Sequence, residues 1–319
     1  MTLSREVKVK EQKMAKTKKL TLFEMAPRDG LQNEPNLVSL RDKKFLISGL
    51  AKAGCHEIEI GAMVRSDLVP QMASTDELLE AGLFSESKSW VLVPNEKGLE
   101  RALESGAKAI AVFTAASETF NKKNIGMSIT ESFDQITSIL ALAKKKKLRT
   151  RAYISTVFGC PFEGEVNPSR VFKLVETLGS LGVESISLGD TIGVATPKSI
   201  ERIFGVLKKR LTAQQFSRLA FHGHDTWGMA VANCLRAYEL GVRQFDSSAG
   251  GLGGCPFAPG ATGNVATEDL VYLFEKMGIK TGIDLEKLCE LSAEFSRRIS
   301  KPLSSKTAKA FLASRELRK

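Results

Sequence analysis

The chain has little of what usually betrays an unusual compartment or scaffold. Its 319 residues include three histidines, two tryptophans and three tyrosines. The five cysteines, Cys55, Cys160, Cys234, Cys255 and Cys289, form an odd set without C-x-x-C spacing, which argues against a disulfide framework or a thiolate zinc site. No apolar run approaches the roughly 18 to 20 residues that a membrane span requires. The start of the chain lacks the apolar core of a secretory signal, and it is Lys-rich with acids rather than Arg/Ser-rich as in a transit peptide. A cytoplasmic, reducing location is expected. Neither G-x-x-x-x-G-K-[ST] nor a strand-linked G-x-G-x-x-G occurs, so nucleotide hydrolysis is not indicated.

What is present is ordinary globular material, 43% hydrophobic and 26% charged. At this length roughly three quarters of the unfolded surface can be buried, so a metal would serve chemistry rather than hold the core together. The net charge of +10 sits at the ends: residues 1–20 carry +5 and residues 297–319 carry +7, which leaves −2 between them. That distribution predicts two solvated basic tails, 1–19 and 306–319, flanking one domain over 20–305. It predicts neither a nucleic-acid surface nor a membrane-binding one.

Within 20–305, short apolar runs alternate with helix-period segments. Candidate strands are Leu20–Met25, Glu57–Ile60, Trp90–Val93, Ala109–Thr114, Arg151–Ser155, Ser185–Leu188, Leu219–His222 and Arg243–Asp246. Helical patterns lie between them at Leu40–Ala53, Ile129–Lys146, Pro168–Leu181, Pro197–Leu211 and Met229–Leu240, and two more follow at Ala266–Met277 and Asp284–Arg298. Eight β-then-α units predict an α/β fold, a single closed (β/α)₈ TIM barrel with extra C-terminal helices. Gly54, Gly106, Gly182 and Gly241 close helix-to-strand junctions, where a left-handed cap is expected.

In such a barrel the chemistry lies at the C-terminal ends of the strands. Arg28 and Asp29 follow the first strand, Glu59 sits near the end of the second, Asp190 follows the sixth, His222 and His224 close the seventh, and Cys255 and Asn264 follow the eighth. Residues two apart on a strand share a side, so His222 and His224 can reach one point in the barrel mouth, and a carboxylate such as Asp29 would complete a metal set. The alternative is one core histidine and one surface histidine. Cys255 ends the run Gly250-Gly251-Leu252-Gly253-Gly254, and is either a thiol on a closing loop or an incidental residue of a glycine-rich turn. The lysine runs at 144–147 and 208–210 end helices and suit the helix dipole.

Three stretches carry a family resemblance: Ala26-Pro27-Arg28-Asp29-Gly30-Leu31-Gln32-Asn33-Glu34, Ser187-Leu188-Gly189-Asp190-Thr191-Ile192-Gly193, and His222-Gly223-His224-Asp225-Thr226. With Asp246-Ser247-Ser248 and Gly253-Gly254-Cys255-Pro256 through Gly263-Asn264, they resemble the 3-hydroxy-3-methylglutaryl-CoA lyase family over about residues 20–305. The resemblance implies a metal-dependent barrel that splits this acyl-CoA into acetyl-CoA and acetoacetate, and a homodimer. It implies Asp29, His222, His224 and Asn264 as ligands of Mg²⁺ or Mn²⁺. Arg28 would lie at the thioester oxygen, Glu59, Asp190 and His222 at the reacting centre, and Cys255 on a mobile loop as acid/base. Gln32, Ser187 and Thr191 would line the substrate pocket with Arg28.

Two other functions fit parts of the pattern. One is a condensing acyltransferase of the same superfamily, of the isopropylmalate or homocitrate synthase kind; the other is a non-catalytic barrel that binds RNA or membrane through its basic ends. The chain also departs from the family. Ile60-Gly61-Ala62-Met63 stands where a hydroxyl-rich Thr-Thr-Ser-Phe is expected, Gly223 where Cys is common and Trp227 where Tyr is usual. The first departure suggests lost polar contacts to the acyl group, and hence a larger or less polar acyl chain.

Overall fold

A computed structural model describes residues 20–85, 88–254 and 263–317. Eight strands follow one another in chain order: β1 Thr21–Glu24, β2 Glu57–Ala62, β3 Ser89–Leu92, β4 Ala109–Ala115, β5 Arg149–Ser155, β6 Ser185–Asp190, β7 Leu219–Gly223 and β8 Gln244–Ser247. Each pairs in parallel with the next, and β1 closes on β8 with Thr21 opposite Gln244 and Glu24 opposite Ser247. This is the closed barrel that the alternation predicts. Its strands are buried on both faces, which is why β4 reads as the nearly unbroken apolar run Ala109-Ile110-Ala111-Val112.

Local chemistry starts and stops the helices. Ser39 caps Leu40–Lys52 by accepting from the Asp42 N–H, and Ser128 and Glu131 form a reciprocal capping box on Ile129–Lys145. The four junction glycines all take positive φ, from 85° to 112°. The Pro197–Leu211 pattern forms Pro197–Ile200 and Val206–Arg210 joined by a wide π-helical turn, Glu201–Gly205. Helices Thr75–Glu80, Glu96–Glu104 and Glu118–Ile125 were not read from the pattern, because six to nine residues are too few to establish a period.

The C-terminal segment corrects the reading of a solvated tail. Residues Lys306–Glu316 form a helix whose first turn is tied to the helix Thr267–Lys276. Ser305 accepts from the Ala308 N–H at 3.0 Å and donates to Asp269 at 2.9 Å, while Thr307 N–H donates to the same carboxylate at 2.8 Å. The basic residues remain outside, so net charge there marked an exposed helix face rather than an undocked segment. Residues 1–19 lie outside the described residues. Among the described residues no helix is long and apolar enough to cross a membrane.

Charge fills much of the barrel interior. Arg149, Arg151 and Tyr153 alternate on β5 and so point to one side. The Arg149 guanidinium lies 4.7 Å from the Trp90 ring centroid and that of Arg151 lies 3.8 Å from the Phe23 centroid, stacking cations on aromatic faces. This stripe leads up to the C-terminal mouth.

Candidate active site

Beyond β1 the backbone makes one wide helical turn, Ala26–Gly30, with Pro27 at its start. That turn brings Arg28 and Asp29 over the barrel mouth. Arg28 donates through Nε and Nη2 to Glu59 Oε2, at 3.0 and 2.8 Å, and through Nη1 to Asp29 at 2.7 Å. Tyr153 donates to the same Glu59 oxygen at 3.0 Å. Glu59 Oε1 is buried and has no protein partner. Burial raises the Glu59 pKa against the opposing pull of Arg28. Burial would also raise Asp29, but Arg28, His222 and His224 outweigh it and hold the carboxyl well below the usual range.

The two histidines converge as the strand spacing predicts. Their Nε2 atoms are 3.0 Å apart, and Asp29 Oδ2 lies 3.9 Å from that of His222 and 3.8 Å from that of His224. Burial, with the His222 ring beside it, pushes His224 down to about 4. Burial would lower His222 too, but Asp246 and Asp29 raise it. A bridge between His224 and Asn264 brings the residue after the glycine-rich loop to the same place. Asn264 donates to Asp29 Oδ2 at 2.7 Å, while its own Oδ1 is buried without a partner.

These donors fit a divalent cation. One ligand atom from each of Asp29, His222 and His224 lies within 4.8 Å of the others. The orphaned Asn264 oxygen beside them supplies the kind of buried acceptor that otherwise costs free energy.

The loop that bears Cys255 is pinched at its base. A Cβ on Gly263 would stand 2.6 Å from the Gly253 carbonyl, and one on Gly253, where φ is +134°, would stand 2.6 Å from Asn264 Nδ2. Only glycine lets the two ends approach this closely and leaves room for the Asn264 amide. Cys255 itself lies outside the described residues.

Two other residues singled out from the sequence, Ser187 and Thr191, are turned toward protein partners. Ser187 is fully buried and donates to Asp246 at 2.7 Å, so its hydroxyl serves another side chain rather than the mouth. Thr191 accepts from the Thr156 N–H at 2.7 Å and holds that residue at a left-handed φ of 58°. Asp190, pushed by burial up to about 6, accepts from the N–H groups of Val194 and Ala195 at 2.9 and 3.0 Å. Gln32 is half-buried just past the Arg28-Asp29 turn.

Several of the departures from the expected pattern concern packing. Ile60 lines a cavity with Ile47, Leu78 and Phe84; a Cβ on Gly61 would meet Thr75 Oγ1 at 2.4 Å; and Met63 lies against Gly98. These three face the surrounding helices, and the fourth, Ala62, is buried beyond the bulge that follows Glu59. Gly223 is explained by Phe221, whose ring would stand 2.8 Å from an added Cβ, and Trp227 is 72% exposed.

Sequence reasoning gave no role to Asp246, Arg151, Tyr153 or Glu24. Arg149, Arg151 and Tyr153 at alternate positions of a buried strand were a legible signal of a polar interior. Glu24 was less legible, since its partners come from distant segments: Ala26 and Ala249 N–H donate to Oε1 at 2.8 and 2.9 Å, and Thr267 donates to Oε2 at 2.6 Å.

A family model described as HMGL-like matches residues 19–294. The hydroxymethylglutaryl-CoA lyase of Pseudomonas mevalonii is 46% identical over 293 residues, 92% of this chain and 96% of that protein. The crystal structure of the Bacillus subtilis HMG-CoA lyase matches with a TM-score of 0.88 at 44% identity, covering 92% of this chain and 98% of that one. An HMG-CoA lyase from Acinetobacter baumannii, in complex with coenzyme A and 3-methylmalate, matches with a TM-score of 0.85 at 39% identity, covering 92% and 95%.

Proposed function

The chain belongs to the HMGL-like family and is a carbon–carbon lyase of the hydroxymethylglutaryl-CoA type; from that premise we propose how its rim residues divide the work. Asp29, His222, His224 and Asn264 hold a divalent cation, Mg²⁺ or Mn²⁺. The observation that carries this reading is the meeting of two imidazole nitrogens and a carboxylate oxygen beside the Arg28 guanidinium. Bound there, such an ion would supply Lewis-acid polarisation of the substrate's 3-hydroxyl and carboxylate oxygens.

Cleavage of the C2–C3 bond removes the proton of a tertiary hydroxyl and leaves a thioester enolate. Arg28 has five N–H groups, of which three are bound to Glu59 and Asp29. The remaining two serve the thioester oxygen, where charge develops. Glu59 and Tyr153 keep that guanidinium in place. Asp190 has the basicity suited to taking the hydroxyl proton near neutral pH. Cys255 returns a proton to the enolate carbon. Gln32, three residues past Asp29, helps line the acyl pocket, whereas Ser187 and Thr191 act behind it.

The coenzyme A complex of the Acinetobacter relative supports an acyl-CoA substrate. Family membership also carries the expectation of a homodimer, and the Lys-rich, acid-containing start of the chain that of a cytoplasmic location. The test is release of acetyl-CoA and acetoacetate from 3-hydroxy-3-methylglutaryl-CoA with added Mn²⁺ or Mg²⁺, then with chelator. We expect equal release of both products, lost on chelation and restored by metal. Activity that survives exhaustive chelation would overturn the metal reading.

A further inference from the structure

We propose that Asp246 is the positioning residue of the metal site: it fixes the His222 ring with its proton on Nδ1, so that the Nε2 lone pair is the one offered to the cation. This rests on the metal reading given above. Register puts Asp246 of β8 directly beside His222 of β7, and the carboxylate Oδ2 lies 3.1 Å from His222 Nδ1. The same oxygen accepts from Ser187 of β6 at 2.7 Å, and Oδ1 accepts from Arg151 of β5. Three neighbouring strands therefore converge on one fully buried carboxylate.

The direction of each bond follows from the chemistry. Arg151 can only donate, and it is itself fully buried and held by the Phe23 and Tyr153 rings and the Tyr153 hydroxyl. The buried guanidinium, paired directly with Oδ1, calls for Asp246 in its ionised form. An ionised carboxylate only accepts, so His222 must donate from Nδ1, and in the neutral imidazole the lone pair then sits on Nε2, aimed at His224 and Asp29. A carboxylate behind a ligating imidazole fixes its tautomer and ring orientation and raises its basicity. The arrangement also gives Ser187 its purpose, which is to orient Asp246 rather than to touch substrate.

The chain has three histidines, so the ring-nitrogen spectrum of ¹⁵N-histidine-labelled protein contains three rings, and the His222 signals are assigned with His222→Gln. In the metal-free wild type we expect His222 to carry its proton on Nδ1. Asp246→Asn should lose that preference, because the amide can donate as well as accept, and its Mn²⁺ affinity by titration calorimetry should fall by about 10 to 100-fold. Should the uncompensated Arg151 prevent Asp246→Asn from folding, Ser187→Ala leaves the ion pair intact. That variant is expected to weaken Mn²⁺ binding a few-fold, with the KM for acyl-CoA at saturating metal unchanged. A raised KM with unaltered Mn²⁺ affinity would return Ser187 to the substrate pocket and overturn the proposal. So would a wild-type His222 protonated on Nε2 alone, or a folded Asp246→Asn with wild-type tautomer and affinity. If the wild type binds no Mn²⁺, the metal reading fails, and with it the metal-site role of Asp246; a normal Nδ1–H signal would then show only a structural hydrogen bond.

Discussion

Arg28 grips Glu59 through two of its nitrogens on a single oxygen, Nε at 3.0 Å and Nη2 at 2.8 Å to Oε2, across 31 residues of sequence. A third donor of the same guanidinium reaches Asp29. The planar fork thus links the proposed enolate site to the proposed metal site, and an ammonium cannot span both. Arg28→Lys should keep the charge and bind Mn²⁺ with little change, while turnover falls by about 10² to 10³, the typical cost of losing an oxyanion donor. Steady-state rates at saturating metal decide this, and a loss under threefold would remove Arg28 from the chemistry.

His224 tests the ligand set from the other side. Its ring is buried against His222 and Asp29, and burial holds it neutral near pH 7. His224→Ala should lower Mn²⁺ affinity by at least about tenfold and raise the metal concentration needed for half-maximal turnover. An unchanged binding isotherm would exclude it as a ligand.

Cys255→Ser tests the proposed loop acid independently of the metal. The hydroxyl occupies nearly the same volume but is a far weaker acid than the thiol. We expect normal Mn²⁺ uptake with most of the turnover lost. Wild-type turnover in this variant would show that the thiol takes no part in the reaction.

Stability should depend on pH through two buried acids at the root of the glycine-rich loop. Glu24 holds Ala249, and Glu268 accepts from the Gly250 N–H at 2.9 Å and from Ser292. Burial pushes each up to about 7 from the ordinary 4.5. The folded chain therefore keeps these protons while the unfolded chain releases them. Their contribution is full below about pH 4.5, declines as pH rises and levels off above about pH 7. Glu24→Gln retains the acceptor for Ala26 and Ala249 but cannot ionise. Its melting temperature should fall less than that of the wild type between pH 5 and pH 7.5, by a few degrees. Parallel melting curves across that range would show that Glu24 does not titrate there.

Much of the scaffold was legible because it repeats. All eight strands were readable from local pattern, since a parallel barrel buries both strand faces and separates strands with amphipathic helices. Their ends differ by a residue or two, as at β5, where Arg149 belongs to the strand although its charge argues against it locally. The short helices were not readable, and the C-terminal helix was hidden by its charge because its docking depends on Asp269, some 40 residues away.

For the site, alternation alone brings His222 and His224 to one side of a strand, and residue type marks Arg28, Asp29 and Glu59 as rim groups. Those properties belong to the chain itself. What joins them is set by barrel closure: the register that lays Asp246 beside His222, the turn that carries Asp29 to the imidazoles, and the pinched glycines that deliver Asn264. The same closure turned Ser187 and Thr191 toward protein partners and Ile60 and Met63 toward the helices. Sequence determines which side of a strand a residue occupies and what it can donate or accept. Which partner it meets depends on strand register and crossover geometry, which sum small contributions along the whole chain, so only the tertiary structure decides it.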